Sequence, residues 1–473
     1  MSRCFEIKNG RLIKYHGKGG DVIIPNSVKI IKKDAFYGCS SLTSVMIGNS
    51  VTSIGENAFR DCSSLTSVTI GDYAFSECES LTSVNIPDSV KSIVNYAFKC
   101  FSSLNFVKIG NSVTSIGENA FRDCSSLTSV MIGNSVKSIG NKAFYNCKSL
   151  TSVMIGNSVK SIGNKAFYNC KSLISVHIPD SVTSIGNFAF CGCSSLTFAI
   201  IPDSITSIQD CAFSDCTNLT SVVIPDSVTS IGISAFSGCS GLTSVIIPDN
   251  VTSIGGGAFS DCSSLTSVTF GNSVTSIGYS AFSGCSGLTS VIIPDSMTSI
   301  GDRAFQDCSS LNFVKIGNSV TSIGVYAFDG CKRMTSVTID GVEINLPDGN
   351  KTLMISLLVE KDYYFTLYSK ILSDVADNLI FQMYASGLDE KGTSAYISEK
   401  FSAMFPVLIN MNNTEILRKI LDSEKFITKK NIDDLIRYAI DQQKHQIQLM
   451  LMNYKQRKNW YQNIDDIDKK FKL

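Results

Sequence analysis

The amino-acid sequence predicts an α/β repeat fold, in which stacked coils form a solenoid with a parallel β-sheet, followed by an all-α C-terminal domain. The first observation is a unit of 23 residues, clearest at Ser50–Asp72, which returns with substitutions from about Val22 to Ile339. The second is an Ala-Phe pair that marks each of 14 copies. Such repetition is typical of a solenoid, because each unit buries its apolar face only against its neighbours. The third is a change after Ile339, where charged residues increase and apolar residues adopt the helical period. The Ala-Phe pairs of the 14 copies contain Phe36, Phe59, Phe75, Phe98, Phe121, Phe144, Phe167, Phe190, Phe213, Phe236, Phe259, Phe282, Phe305 and Phe328.

Each unit contains a short strand, as in Leu65–Ile70. Val68 and Ile70 alternate with Ser67 and Thr69, which is the pattern of a strand with one buried face. A Gly-Asp or Pro-Asp dipeptide then turns the chain, and a second extended segment returns along another side of the coil. We expect the strands of successive coils to run parallel, about 4.8 Å apart.

The segment around the Ala-Phe pair predicts one helical turn with an apolar face, because Ala58, Phe59 and Cys62 stand at i, i+1 and i+4. A single coil cannot bury its apolar side chains alone. Stacking on a neighbour buries them, at roughly 1.5–3 kcal/mol for each large side chain.

Thirteen of the 17 cysteines occupy one position of the repeat. Free cysteine behaves as a small hydrophobe, so we predict a ladder of buried thiols rather than disulfides or metal ligands. Metal-site spacing is also missing, since no C-x-x-C pair stands near one of the three histidines. The ladder contains Cys39, Cys62, Cys78, Cys124, Cys147, Cys170, Cys193, Cys216, Cys239, Cys262, Cys285, Cys308 and Cys331.

The repeat resembles the leucine-rich repeat, and it is most similar to the 23-residue BspA-like class with the pattern C-x-x-L-x-x-[IV]-x-[IL]-P-x-x-[VL]-x-x-I-G-x-x-A-F. The resemblance covers about Val22–Ile339 and implies a protein-binding solenoid with a role in adhesion. One departure is the turn position that is usually Asn, which here is mainly Ser, as at Ser181 and Ser227, with Asn250 as an exception. A Ser hydroxyl can still bond the backbone of a turn. The residues that match the pattern in one copy are Cys216, Leu219, Val222, Ile224, Pro225, Val228, Ile231, Gly232, Ala235 and Phe236.

The pattern divides the chain into three parts: an N-terminal cap at residues 1–21, a solenoid of about 14 coils at residues 22–340, and a helical domain at residues 341–473. The cap is predicted to form a hairpin around Asn9-Gly10, a strong turn dipeptide. Two irregularities interrupt the repeat. Phe59 and Phe75 are only 16 residues apart, which predicts a kink or a thinner coil. In another copy, Phe101 occupies the position of the cysteine ladder, and Cys100 stands one residue before it.

The C-terminal region predicts six helices. Asn431–Lys455 is similar to the paired helices of ankyrin repeats, with Asn431 as a helix cap. The alternative is a helical hairpin domain of its own kind, because the T-P-L-H motif and turn glycines of ankyrin repeats are missing. The predicted helices are Leu353–Leu372, Val375–Ala385, Ala395–Phe405, Thr414–Leu421, Ile432–Asp441 and Gln446–Tyr454.

Composition and motifs restrict the function. The formal net charge is zero, so we expect neither nucleic acid nor anionic lipid as a partner. The N-terminal residues lack the apolar segment of a signal peptide, and no apolar run approaches the 18 residues of a membrane span. These features predict a cytoplasmic protein without membrane insertion, whereas the BspA-like resemblance favours the cell surface. We find no phosphate-binding, metalloprotease or serine-hydrolase motif, and therefore predict no enzyme activity, no cofactor and no metal site.

The remaining candidate is the outward face of the strands. The outward position reads Ile200, Val223, Ile246, Thr269 and Ile292 in successive coils, and Phe106, Phe198 and Phe313 stand two residues before it in theirs. Exposed apolar side chains on a continuous face are typical of protein contact, although β-branched residues also simply favour strands. We predict that Phe198, Ile200, Val223, Ile246, Ile292, Phe106 and Phe313 bind another protein. The leading hypothesis is a non-enzymatic, adhesion-type binding protein; the alternative is an intracellular scaffold whose repeats and helical domain have separate partners.

Overall fold

The computed structural model describes residues 4–46, 53–54, 58–65, 67–68, 83–86, 92–93, 95–346, 349–360 and 373–460. It confirms the predicted fold class: a parallel-sheet solenoid of about 13 turns is followed in the chain by six helices. The chain forms two compact units. The first contains residues 1–311 and 324–332, and the second contains residues 312–323 and 333–473.

The first unit begins with the predicted hairpin, formed by β1 (Phe5–Lys8) and β2 (Arg11–Tyr15). Asn9 and Gly10 both have positive φ, as a two-residue hairpin turn of this type requires. The ring of Tyr15 lies 4.8 Å from the ring of Phe36, so the hairpin places an aromatic ring against the first Ala-Phe pair.

One side of each coil in the first unit is a strand whose outward residues alternate with buried ones. These strands line up along the stack as the first sheet, whose hydrogen-bonded ladder is interrupted after the strand that ends at His177 and after the strand that ends at Val223. Neighbours pair in parallel with a register of one repeat, for example Ser129 opposite Ser152. The shortened coil at residues 69–82 lies outside the described residues, and the strands before and after it pair directly, Ser67 opposite Ser83. The strands are β3 (Gly20–Ile23), β5 (Leu42–Met46), β7 (Ser67–Val68), β8 (Ser83–Ile86), β10 (Phe106–Ile109), β12 (Ser129–Met131), β14 (Ser152–Met154), β16 (Ser175–His177), β18 (Phe198–Ile200), β20 (Ser221–Val223), β22 (Ser244–Ile246), β24 (Ser267–Thr269) and β26 (Ser290–Ile292).

The second side of each coil is a two-residue Ser-Ile strand, and these form the second sheet. The residue that follows most of these strands is glycine. A Cβ at Gly255 would lie 2.6 Å from the carbonyl carbon of Gly232 in the preceding coil, which is too close for any side chain. Two of the coils with a Ser-Ile strand have another residue at this position. The ladder of the second sheet is interrupted after Ile185 in front of the coil with Gln209, but Ser92–Ile93 in the coil with Val94 still pairs with Ser115–Ile116. The strands are β4 (Ile30–Ile31), β6 (Ser53–Ile54), β9 (Ser92–Ile93), β11 (Ser115–Ile116), β13 (Ser138–Ile139), β15 (Ser161–Ile162), β17 (Ser184–Ile185), β19 (Ser207–Ile208), β21 (Ser230–Ile231), β23 (Ser253–Ile254), β25 (Ser276–Ile277) and β27 (Ser299–Ile300).

The third side carries the Ala-Phe pair, and here the predicted helical turn is wrong. Residues 95–332 form consecutive turns at this position and no helix. Each of these turns contains two left-handed residues, such as Lys142 and Asn146, with φ of 54° and 61°. Because a right-handed helix excludes positive φ, the segment cannot continue as a helix. Its backbone instead bonds to the next coil, where the N–H of Phe144 donates to the carbonyl of Ala166 at 2.7 Å.

A continuous ladder of phenylalanine rings fills the interior from Phe98 to Phe328. Neighbouring rings are nearly parallel, with centroids 4.9–5.5 Å apart. Each ring between Phe98 and Phe328 is covered on both faces by the rings of adjacent coils. Stacked aromatic pairs contribute about 0.5–1.5 kcal/mol beyond the burial of their area.

The cysteine ladder lies directly beside the rings. The thiol of Cys147 donates to the carbonyl of Phe121 in the preceding coil, with 3.1 Å between sulfur and oxygen, while the N–H of Cys124 donates to the same oxygen. The Phe carbonyl therefore accepts one bond within its own coil and one from the next. The described cysteines are free thiols, and Phe101 fills one ladder position while Cys100 is exposed with positive φ, as the sequence indicated.

Serine and asparagine side chains add bonds between coils. The hydroxyl of Ser181 donates to the carbonyl of Val159 at 2.7 Å, and Ser227 makes the same bond to Ile205. The Ser that replaces the usual Asn at this turn therefore still donates a hydrogen bond to a backbone carbonyl, and that carbonyl belongs to the preceding coil. Asn250 donates there too, to the carbonyl of Asp226.

The second unit contains β28 (Phe313–Ile316), β29 (Ser322–Ile323), β30 (Ser336–Ile339) and β31 (Val342–Asn345). β30 pairs in parallel with β28 and antiparallel with β31. The side-chain amide of Gln382 bonds both the N–H and the carbonyl of Asn345, at 3.1 and 3.2 Å. This contact satisfies backbone groups at the edge of the sheet, which would otherwise be open to another strand.

The six helices lie close to the predicted positions. They are α1 (Lys351–Glu360), α2 (Ser373–Ser386), α3 (Glu390–Asn410), α4 (Thr414–Asp422), α5 (Ile432–Asp441) and α6 (His445–Arg457). The predicted continuation of the first helix to Leu372 lies outside the described residues. Asn431 precedes α5 but makes no side-chain cap, because its amide bonds Thr428 and Phe426 of the preceding turn. Asn413 caps α4 instead.

Among the last four helices, α5 contacts α6, α3 contacts α5 and α4 contacts α6. Lys455 of α6 is buried and lies 2.6 Å from the carboxylate of Asp433 in the first turn of α5. A buried cation needs such a partner, so this pair fixes α6 against α5. The ankyrin-like arrangement remains a prediction for this region.

Removal of one ring tests the phenylalanine ladder. We expect Phe236→Ala to lower the free energy of unfolding by about 3–5 kcal/mol, because it leaves a cavity between two rings. Urea unfolding followed by circular dichroism measures the change. The control is Ile233→Ala in the same coil, an exposed side chain whose loss should cost at most about 0.5 kcal/mol. Equal effects of the two substitutions would contradict the ladder.

Thiol counting tests the cysteine ladder. Burial raises the pKa of Cys331 from 9.0 to about 12 and that of Cys39 to about 11, so these thiols stay protonated and unreactive in the folded chain. At pH 8 without reductant, a thiol reagent should modify the exposed Cys4 and Cys100 in the native protein, and all 17 cysteines after denaturation. The stability that these raised pKa values provide is present below about pH 9 and is lost as the pH rises towards the folded values. A denatured count below 17 would indicate disulfides and contradict the account.

Candidate protein-binding surface

The outward position of the first sheet is exposed in the coils that the sequence singled out. Ile200, Val223, Ile246 and Ile292 are 52%, 56%, 69% and 59% exposed, respectively. We call these four side chains the aliphatic row. Side chains of this kind exposed in consecutive coils are unusual, because soluble proteins normally bury them or scatter them singly.

The alternation of each strand directs the row outward. In β18, Phe198 and Ile200 are exposed while Ala199 between them is buried. The parallel register places Ile200 opposite Val223 and Phe198 opposite Ser221. Ile201, the next inward residue, is also buried. A shift of one residue in the pairing of the strand would therefore turn its buried side chains to the surface and its exposed ones to the core.

The structure brings together only some of the predicted residues. Phe198 lies in the same strand as Ile200 and extends the apolar surface sideways. Thr269 stands in the coil between those of Ile246 and Ile292, where its exposed methyl and hydroxyl interrupt the row. Phe106 is exposed but lies four coils before Phe198, about 19 Å away at the usual strand spacing. Phe313 is only half-buried and belongs to the second unit.

Charge is unevenly distributed along the first unit. The net charge of the whole chain, on which the sequence analysis relied, does not reveal this. Residues 95–171 contain nine lysines and arginines and two acidic residues, whereas residues 172–302 contain nine aspartates and no lysine or arginine. The zero total conceals a basic segment followed by an acidic one. A count made coil by coil would have found this signal.

A row of carboxylates accompanies the aliphatic row. Asp203, Asp226, Asp249 and Asp295 each follow an aliphatic-row residue by three positions, and all four are exposed. We call them the aspartate row. Asp249 also accepts the N–H of Asn272 in the next coil at 2.8 Å. The aspartate row therefore runs beside the aliphatic row, and the same exposed position is also Asp in the preceding coil, where Asp180 follows His177.

An open groove lies at the edge of the first sheet in the basic segment. Its volume is about 440 Å³, and it forms where Gly110 and Gly133 replace the proline of other coils. Asn111 accepts the N–H of Asn134 along its floor. Lys108 is its one charged lining residue, so the groove lacks the converging polar groups of a small-molecule site.

Two further features of the described residues bear on function. No group of three His, Cys, Asp or Glu side chains among them is placed to hold a metal ion. None of the helices within those same ranges has the length and apolar character that crossing a bilayer requires.

Comparison with known families decides the relationship. The family described as BspA type leucine rich repeat region (6 copies) matches residues 15–70, 66–174, 160–288 and 229–347, which is more than half of the chain. The chain belongs to the BspA-type leucine-rich repeat family. The resemblance predicted from the Cys-to-Phe pattern is thereby confirmed.

Solved structures agree with this membership. A leucine-rich repeat protein from Bacteroides ovatus is 31% identical, with a TM-score of 0.53, and the match covers 69% of this chain and 88% of that one. A leucine rich cell surface protein from Faecalibacterium prausnitzii is 30% identical, with a TM-score of 0.41, over 70% of this chain and 90% of that one. No curated protein matches the chain.

Proposed function

We propose that this BspA-type chain is a non-enzymatic, adhesion-type protein that binds a partner protein through the outer face of its first sheet. The observation that carries the proposal is the exposed aliphatic row. Apolar side chains in the centre of a contact supply most of the binding free energy, provided that the partner excludes water from them. Phe198 adds an aromatic side chain, of the kind enriched in such centres.

The family supports a binding role. Leucine-rich repeat relatives are generally non-enzymatic repeat proteins. The relative from Faecalibacterium prausnitzii is described as a cell surface protein, which favours contact with extracellular or host proteins. Phe106 belongs to the proposed contact only if the partner extends well beyond the aliphatic row, and Phe313, which is part of the second unit, is proposed as a contact of that unit.

An intracellular scaffold is the second candidate. The observation that favours it is the second unit, whose helices have their own buried core around Ile397, Leu417 and Leu435. A separate compact unit can bind a partner of its own while the repeats bind another. The two candidates differ in location, so an impermeant label applied to intact source cells distinguishes them.

Two charge substitutions test the proposed contact. A partner captured either from a lysate of the source cell or from the extracellular and host proteins around it, then identified and purified, should bind Ile200→Lys/Ile246→Lys about 100-fold more weakly than the wild-type chain. Each buried Ile contributes about 1.5–3 kcal/mol, and every 1.4 kcal/mol is tenfold in affinity. Isothermal titration calorimetry measures the dissociation constants.

The matched control is Ile233→Lys/Val325→Lys, which adds the same charge to two equally exposed side chains on another side of the coils. This variant should bind like the wild-type chain, and both variants should keep the far-UV circular dichroism spectrum. Unchanged affinity of the Ile200→Lys/Ile246→Lys variant would exclude the aliphatic row from the contact.

A further inference from the structure

The spacing of the two rows limits the shape of a partner. Neighbouring strands lie about 4.8 Å apart, so successive side chains of the aliphatic row repeat at that distance. An α-helix rises 5.4 Å per turn and presents one side chain per turn on a given face, so it stays aligned with the coils to within about 0.6 Å per turn. An extended strand presents one side chain per face every 6.6 Å or more, and drifts by about 2 Å per coil. A helix lying along the stack therefore matches the rows better than a strand.

Charge limits the composition of the partner. The aspartate row places a carboxylate beside the strand end in each coil of the aliphatic row, and residues 172–302 contain nine aspartates and no lysine or arginine. The coil with Thr269 in place of an aliphatic residue also has Asn272 in place of Asp, whereas Asp180 extends the line of carboxylates into the coil of His177, just before the aliphatic row. A partner that covers the aliphatic row brings its own flank over these carboxylates. Basic side chains on that flank give charge complementarity, whereas acidic ones would be repelled.

We propose that the aliphatic and aspartate rows together bind a basic amphipathic α-helix of a partner protein. The helix lies along the stack for about 19 Å, from the coil of Ile200 to that of Ile292, which is between three and four turns. One apolar side chain per turn packs on the aliphatic row, and lysines or arginines on one flank face the aspartate row. The proposal rests on the proposed function and adds the chemistry of the partner. The carboxylates accelerate association and select against acidic helices, while the apolar contacts supply most of the affinity.

Synthetic helices test the proposal. A labelled 18-residue peptide with leucine once per turn and lysine on one flank should bind the full chain, as measured by fluorescence anisotropy. The same peptide with glutamate in place of lysine should bind at least tenfold more weakly. Raising the salt concentration from 50 to 300 mM should weaken only the lysine peptide, because exposed charge pairs are screened. Equal binding of both peptides, or no binding of the lysine peptide, would overturn the proposal.

Substitution of the aspartates locates the effect. Asp203→Asn/Asp226→Asn/Asp249→Asn keeps shape and the hydrogen-bond acceptor at Asp249 but removes three charges, and should weaken the lysine peptide about tenfold. The matched control, Asp210→Asn/Asp261→Asn/Asp302→Asn, removes three charges from the same segment but away from the strands of the first sheet, and should change binding less than threefold. Equal effects would mean that only the long-range field matters, and would overturn the role of the aspartate row.

The outcomes separate this proposal from the proposed function. If Ile200→Lys/Ile246→Lys abolishes capture of the native partner while the lysine peptide neither binds nor competes, the surface binds proteins but not basic helices. If that variant leaves both capture and peptide binding unchanged, the surface itself is excluded. A lysine peptide that binds the wild-type chain, competes with the native partner and fails to bind the variant supports both.

Discussion

Every coil of the first unit depends on the coil beside it. The interior of one coil is a Phe ring, an inward Val and Ile of the strand and a small thiol, and none of these is covered until the next coil stacks on it. The carbonyl of a ladder Phe such as Phe121 accepts an N–H of its own turn and the thiol of the following coil, so one oxygen holds the turn and joins it to the next coil. Cysteine suits this position since it is small, apolar and still a weak donor.

This constraint separates structural positions from positions that are free to vary. Buried positions change little along the stack, and the glycine that follows most of the Ser-Ile strands leaves no space for a side chain, as at Gly255. Outward positions carry no such restriction, and they range from Lys108 through Met154 to Ile246. Such freedom allows one scaffold to present a basic segment and an acidic, partly apolar segment in the same chain. Differences between copies at outward positions therefore carry more information about function than the repeat itself.

The sequence predicted the repeat, the buried faces and the exposed aliphatic row, because a period of 23 residues makes inward and outward positions countable. Helix limits such as Ile432–Asp441 were also predictable from apolar spacing. The helical turn at the Ala-Phe pair was not, since left-handed φ is imposed on residues such as Lys142 and Phe188 that do not signal it. Asn431 was misassigned as a cap because the preceding turn competes for its amide. The charge distribution was missed because a whole-chain total averages opposite segments to zero.

Hydrogen exchange measured by mass spectrometry tests most directly whether the coils complete one another. The amide N–H groups of Phe144, Phe190 and Phe236 each donate to the Ala carbonyl of the next coil, at 2.7–2.8 Å. Peptides that contain these residues should be strongly protected from exchange. Adjacent coils should lose protection together, because opening the interface between two coils uncovers the interior of both. Exchange at the rate of an unstructured peptide, or protection that differs freely from coil to coil, would contradict this account.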